Sequence, residues 1–83
     1  MASQATELVE FLVRSIVENP DDVSVEEIDD AGDLVLEVRV GDGDLGRVIG
    51  REGRVAKAIR TVARAAGARD ERRVSVDIVE DDR

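Results

Sequence analysis

Cysteine and histidine do not occur in this chain of 83 residues, nor do tryptophan and tyrosine; Phe11 is its one aromatic residue and Pro20 its one proline. Without Cys and His there is no disulfide, zinc site, Ser-His-Asp triad or Cys nucleophile, and any metal site would be built of oxygen alone. Without Trp and Tyr the chain lacks the stacking platforms on which many single-strand binders rely. No apolar run is long enough to span a membrane. The opening MASQATELVE has neither the basic stretch nor the apolar core of a secretory leader. These absences lead to the expectation of a cytoplasmic protein. Carboxylates are plentiful, but no His, Cys or glycine-lined nucleophile stands beside them. The expectation is a protein that is not an enzyme, with no cofactor, no metal and no small-molecule substrate.

What remains is enough to fold. Apolar residues make up 42% of the chain, so disorder is not the default. Its length suits one domain over residues 1–83, with a core from about 5 to 80. The net charge of −8 is unevenly spread. From Leu45 to Arg73 there are nine basic and three acidic residues, a segment of +6, while the remainder carries −14. Such segregation gives an acidic molecule one positive face, and the local patch governs binding more than the total does.

The hydrophobic pattern predicts six elements in the order helix, strand, strand, helix, helix, strand. Residues 3–19 place Leu8, Phe11, Leu12, Ser15 and Ile16 at helical spacing, with Ser3 or Thr6 as N-cap and Asn19-Pro20 as the stop. VSVEEI and LVLEVRV read as a hairpin turned by DDAGD, with Leu34, Leu36, Val38 and Val40 on one face. A short helix capped by Asp44 should bury Leu45, Val48 and Ile49. A second helix runs from Arg54 to Ala66 and stops at Gly67. RRVSVDIVE forms the last strand, pointing Val74, Val76 and Ile78 one way, and DDR is a loose tail. The expected fold class is α+β, a three-stranded sheet covered on one face by helices. At ~100° per residue, Val55, Ile59, Val62 and Ala66 form a core stripe on the second helix, and Lys57, Arg60 and Arg64 a basic one nearly opposite. Alanines 56, 58, 63 and 65 fill its flanks.

Two glycine patterns compete. Gly41-x-Gly43-x-x-Gly46 follows a strand and matches the dinucleotide fingerprint. Asp42 and Asp44 would repel a pyrophosphate there, however, and no acidic residue follows at the distance where that fingerprint expects one. Gly50-Arg51-Glu52-Gly53 fits an anion better. Its glycines let the backbone turn sharply and approach a ligand, and it feeds the N-terminus of a helix. Arg51 and Arg54 flank it, and a phosphodiester is the natural occupant.

The string Val48-Ile49-Gly50-x-x-Gly53-x-Val55-x-x-x-Ile59, set between strands, resembles the KH-domain signature. Its place after a helix and two strands is similar to the type II arrangement. The shortness of the chain and the string GRVIGREGR…AIRT resemble the small stand-alone bacterial KH proteins of the KhpA family. That resemblance implies single-stranded RNA as partner, its backbone clamped by Gly50, Arg51, Glu52 and Gly53. Arg47, Arg54, Lys57 and Arg60 would add charge. Val48, Ile49 and Val55, with Leu36 or Val38, would line an apolar groove for the bases. Glu52 departs from the more cationic loops of the family. The resemblance further implies an RNA chaperone or post-transcriptional regulator touching cell elongation and division, self-association, and pairing with a larger KH protein of the Jag type. The alanine-flanked helix offers a homodimer face at Ala56, Ile59, Val62 and Ala63. The alternative is a protein-interaction adaptor that keeps the KH shape and binds little RNA.

Overall fold

The computed structural model describes residues 3–80, so the expected loose tail at 81–83 lies outside the described residues. Helix α1 (Gln4–Ile16) leads through a single 3-10 turn at Pro20–Asp22 into strand β1 (Ser24–Asp30), which pairs antiparallel with β2 (Asp33–Val40). Helices α2 (Leu45–Ile49) and α3 (Arg54–Arg69) follow, and β3 (Val74–Glu80) runs parallel to β2. The sheet order is β1-β2-β3, with the helices on one face.

The hairpin closes through Ala31 and Gly32, both at positive φ (55° and 95°), as a two-residue turn matched to strand twist requires. Asp29 and Asp30, expected in the turn, extend β1 instead. In β2 the period of two holds, and Leu34, Leu36, Val38 and Val40 are all buried. Val74 and Val76 join them from β3.

Both long helices turn different stripes to the sheet than their sequences suggest. In α1 the buried residues are Ala5, Thr6, Val9 and Val13, whereas Leu8, Ile16 and above all Phe11 (68% exposed) face outward. Ser3 caps the helix by accepting from Thr6 N. Glu27 of β1 then accepts from Ser3 N at 2.8 Å and from Thr6 Oγ1. The helix ends at Ile16, before the Asn19-Pro20 stop, because Val17 is already extended (φ −95°, ψ 162°).

In α3 the buried stripe is Ala56, Ile59, Ala63 and Gly67. It is rotated by about 75° from the expected Val55, Ile59, Val62, Ala66 stripe. Small side chains let the helix backbone come close to the sheet, and the valines are displaced to its flank against α1. Gly67 does not stop the helix, which continues to Arg69. A Cβ at Gly67 would run into Val74 Cγ2 and come within 2.8 Å of Arg72 O. The glycine is a contact point. Gly67→Ala is therefore expected to destabilise the protein by ~1–3 kcal/mol through overpacking, measured by urea unfolding. A mere surface glycine in a helix would instead gain up to ~1 kcal/mol on the same change.

Candidate nucleic-acid interface

Helix α2 is short and buries only Val48. It stops at Gly50, whose φ of 78° and ψ of 173° belong to a region essentially reserved for glycine. A side chain there would also collide with Val55, whose backbone N lies 2.9 Å from the position of a Cβ. Arg51–Gly53 form one 3-10 turn. Within it Glu52 is held left-handed (φ 57°, ψ 24°), uncommon for a residue with a side chain. Gly53 (φ 74°) has open space around it, and no side chain caps α3 there. Within the 3-10 turn Gly53 N donates to Gly50 O at 3.1 Å and Arg54 N to Arg51 O, so the turn itself takes these N–H groups, and the positive end of the α3 dipole faces outward behind them.

The cations are not equally available. Arg51, Arg54 and Lys57 are exposed, although Arg54 Nη2 lies 3.4 Å from Glu52 Oε1. Arg60 lies along the free edge of β3 and donates from Nε to Val76 O at 3.3 Å. Rotation of α3 brings its basic face beside β3, not opposite the core as expected. Arg47 is turned away, paired with Glu18 and 3.5 Å from Asp44 Oδ1. Val48, Leu36 and Val38 are wholly buried and are core residues, not groove residues for bases. Half-buried Ile49 and Ile78 are the apolar residues left near this corner. Val55 lines a separate groove of about 200 Å³ with Leu12, Ile16, Ala58, Ile59 and Val62. The expected dimer face is corrected as well. Ala56, Ile59 and Ala63 are at most 3% exposed, so of the four residues only Val62 is open to a partner.

Asp44 was the residue whose role the sequence concealed. It heads α2 but makes no cap bond to it. Its buried carboxylate accepts from Glu18 N (3.1 Å), Asn19 N (3.0 Å) and Asn19 Nδ2 (3.0 Å). The Glu18 N–H, the other donors and Arg47 hold its pKa below the usual aspartate range. Glu27 is held low in the same way, by the Ser3 N–H and the Thr6 hydroxyl. Among the described residues no acidic cluster could hold a metal ion, and no helix is long and apolar enough to cross a membrane.

Two helices meeting at a Gly-x-x-Gly corner, over a sheet reached through a preceding helix and hairpin, define a KH domain of the type II arrangement. Residues 6–78 match the family described as "KhpA/KhpB, KH domain". A protein of Streptomyces coelicolor named RNA-binding protein KhpA is 53% identical over 76 residues, covering 92% of each chain. One of Clostridium perfringens with the same name is 45% identical over 73 residues, 88% of this chain and 97% of its relative. The chain belongs to the KhpA/KhpB KH-domain family. A crystal structure of Era from Aquifex aeolicus shares the fold, with a TM-score of 0.60 and 20% identity over 92% of this chain; the match spans 29% of Era.

The two depressed carboxyls carry a consequence for stability. Below the unfolded pKa values the unfolded chain binds protons that the folded one refuses, so their contribution is present above that range and is lost as pH falls. Urea midpoints are expected to drop between about pH 5 and pH 3. The drop should be shallower in Glu27→Gln, whose midpoint at neutral pH should already be lower.

Proposed function

We propose that this protein binds single-stranded RNA, holding the backbone at Gly50–Gly53 and along Arg51, Arg54, Lys57 and Arg60. The observation that carries this is the N-terminus of α3, which no side chain caps, presented by a left-handed glycine and flanked by exposed arginines. It is a ready anion site that a phosphodiester fills. The names of the relatives agree. The bases would lie toward Ile49, Ile78 and the β3 edge, without aromatic stacking. Glu52 sits beside the same helix end and draws on Arg54, so a single domain binds weakly. A place in post-transcriptional control rests on the family resemblance.

Single strands should bind better than duplex. With three or four phosphates neutralised at ~0.7 each, the log–log salt slope should be about −2 to −3. Gly53→Asp puts a carboxylate into open space at the anion site and should weaken binding at least about 10-fold while circular dichroism stays native. Gly50 is unsuited to this test because of its contact with Val55. A flat salt dependence, or unchanged affinity in Gly53→Asp, would favour the adaptor reading.

We further propose self-association across the groove between α1 and α3. Leu8, Leu12, Ile16, Val55 and Val62 line it, in place of the buried alanines. Its rim carries Glu7 from α1 and Arg69 from α3, so two copies related by a two-fold axis could pair acid with base. Pairing would present two weak RNA sites together and raise avidity. Light scattering at high micromolar concentration should give a dimer mass, and Leu8→Asp with Val62→Asp a monomer of native circular dichroism. A monomeric wild type would leave the groove to a larger KH partner of the Jag type.

A further inference from the structure

Among the described residues Asp44 is the one buried acidic residue, at 1% exposure, and it stands at the head of the helix that leads into the proposed RNA loop. We propose that Asp44 is the positioning residue of that loop: its carboxylate locks α2 to the chain leaving α1 and so sets where Gly50–Gly53 stand. The inference rests on the reading of that corner as the RNA site.

The geometry leaves α2 few other restraints. The helix has five residues, and its packing comes from buried Val48 with partly buried Leu45 and Ile49, a short element whose direction the contacts at its first residue can set. Asp44 is held on every side. Its N–H donates to Gly41 O at 3.1 Å, and its carbonyl accepts from Arg47 N at 3.0 Å and Val48 N at 3.2 Å. Oδ2 takes both donors of Asn19, and Oδ1 takes Glu18 N with Arg47 Nε beside it. Arg47 then reaches on to Glu18, closing a ring of contacts between the end of α1 and the start of α2. Arg47 is thus part of this lock, which explains its turn away from the loop.

At the other end Gly50 N donates to Gly46 O at 2.9 Å, so the loop follows α2 without slack. A five-residue helix is about 7.5 Å long, and a tilt of ~15° at Asp44 would carry Gly50 by about 2 Å. An anion site made of backbone N–H groups does not survive such a displacement.

Stability alone is a poor reason for this arrangement. Glu18 and Asn19 are exposed residues and their bonds to Asp44 are only part-buried, so water could take part of that role. Burying a carboxylate to serve them spends its hydration for a small net gain. What the exchange supplies is a fixed orientation.

The test compares Asp44→Asn with Thr6→Val, which removes buried hydrogen bonds at the opposite end of α1, far from the loop. Asparagine keeps the size of the side chain but turns an N–H₂ toward donors. Affinity for a labelled 12-nucleotide single-stranded RNA is measured below the onset of unfolding of both variants. Asp44→Asn should bind about 10-fold more weakly, and Thr6→Val, at a comparable loss of urea midpoint, like the wild type. In amide NMR spectra Gly50 and Gly53 should shift or broaden in Asp44→Asn while Leu36 stays in place. Wild-type affinity in Asp44→Asn, or equal weakening in both variants, would overturn the role of Asp44. Gly53→Asp separates the two readings. If it binds RNA like the wild type, the site itself is wrong; if it is weakened while Asp44→Asn is not, only the positioning role falls.

Discussion

The close approach of α3 to the sheet organises this molecule. Ala56, Ile59, Ala63 and Gly67 are the buried residues of α3, three of them small, and at Gly67 the space is filled by Val74 and the Arg72 carbonyl. A helix seated so closely has its rotation decided by sterics rather than by hydrophobicity. Val55 and Val62 then turn toward α1, and Lys57 and Arg60 toward the free edge of β3. One small-residue contact thereby separates two surfaces on a single helix: an apolar groove on one side and a cationic flank on the other.

The cationic flank works against an acidic molecule, and its effectiveness depends on arrangement rather than total charge. Arg51 and Lys57 stand free of the sheet, while Arg54 and Arg60 have local partners in Glu52 and Val76. The Arg54–Glu52 ion pair is exposed and therefore weak, whereas Arg60 holds a part-buried hydrogen bond to a backbone carbonyl. On the proposed reading, the backbone at the head of α3 and the helix dipole behind it add to the attraction of these cations for an anion. Glu52 holds a strained left-handed conformation beside them, the kind of local cost that accumulates at functional corners. Its charge faces the same corner as Arg54 and opposes an anion there.

Legibility varied with the physics of each element. The period of two in β2 was read correctly to the residue, because both neighbours of a central strand force strict alternation. The hairpin was clear from DDAGD between two apolar runs, though the turn narrowed to Ala31-Gly32, and the Gly50–Gly53 corner from two glycines between helical segments. The facing stripes of α1 and α3 were misread because the bulky Leu8, Phe11 and Leu12, and Val55 and Val62, outrank the Ala, Thr and Gly positions that are buried beside Val9, Val13 and Ile59. Hydrophobic ranking finds the greasiest face, whereas close packing favoured faces in which small residues alternate with one or two apolar ones. Asp44 was read as an N-cap because its position before α2 is a capping position. Its actual partners lie 25 and 26 positions away, a separation no local pattern encodes.

Sequence by itself determined the six elements, their order, the glycine corner with its flanking arginines, and membership of a family whose signature is local. All of these depend on residues near one another in the chain: periodicity, turn chemistry and glycine's tolerance of positive φ. Tertiary structure alone decided which face of each helix meets the sheet, which cations remain available, that Val48 belongs to the core, and that Asp44 ties α2 to the end of α1. Those outcomes depend on steric fit and hydrogen-bond partners contributed by distant segments, and they exist only once the chain has closed on itself.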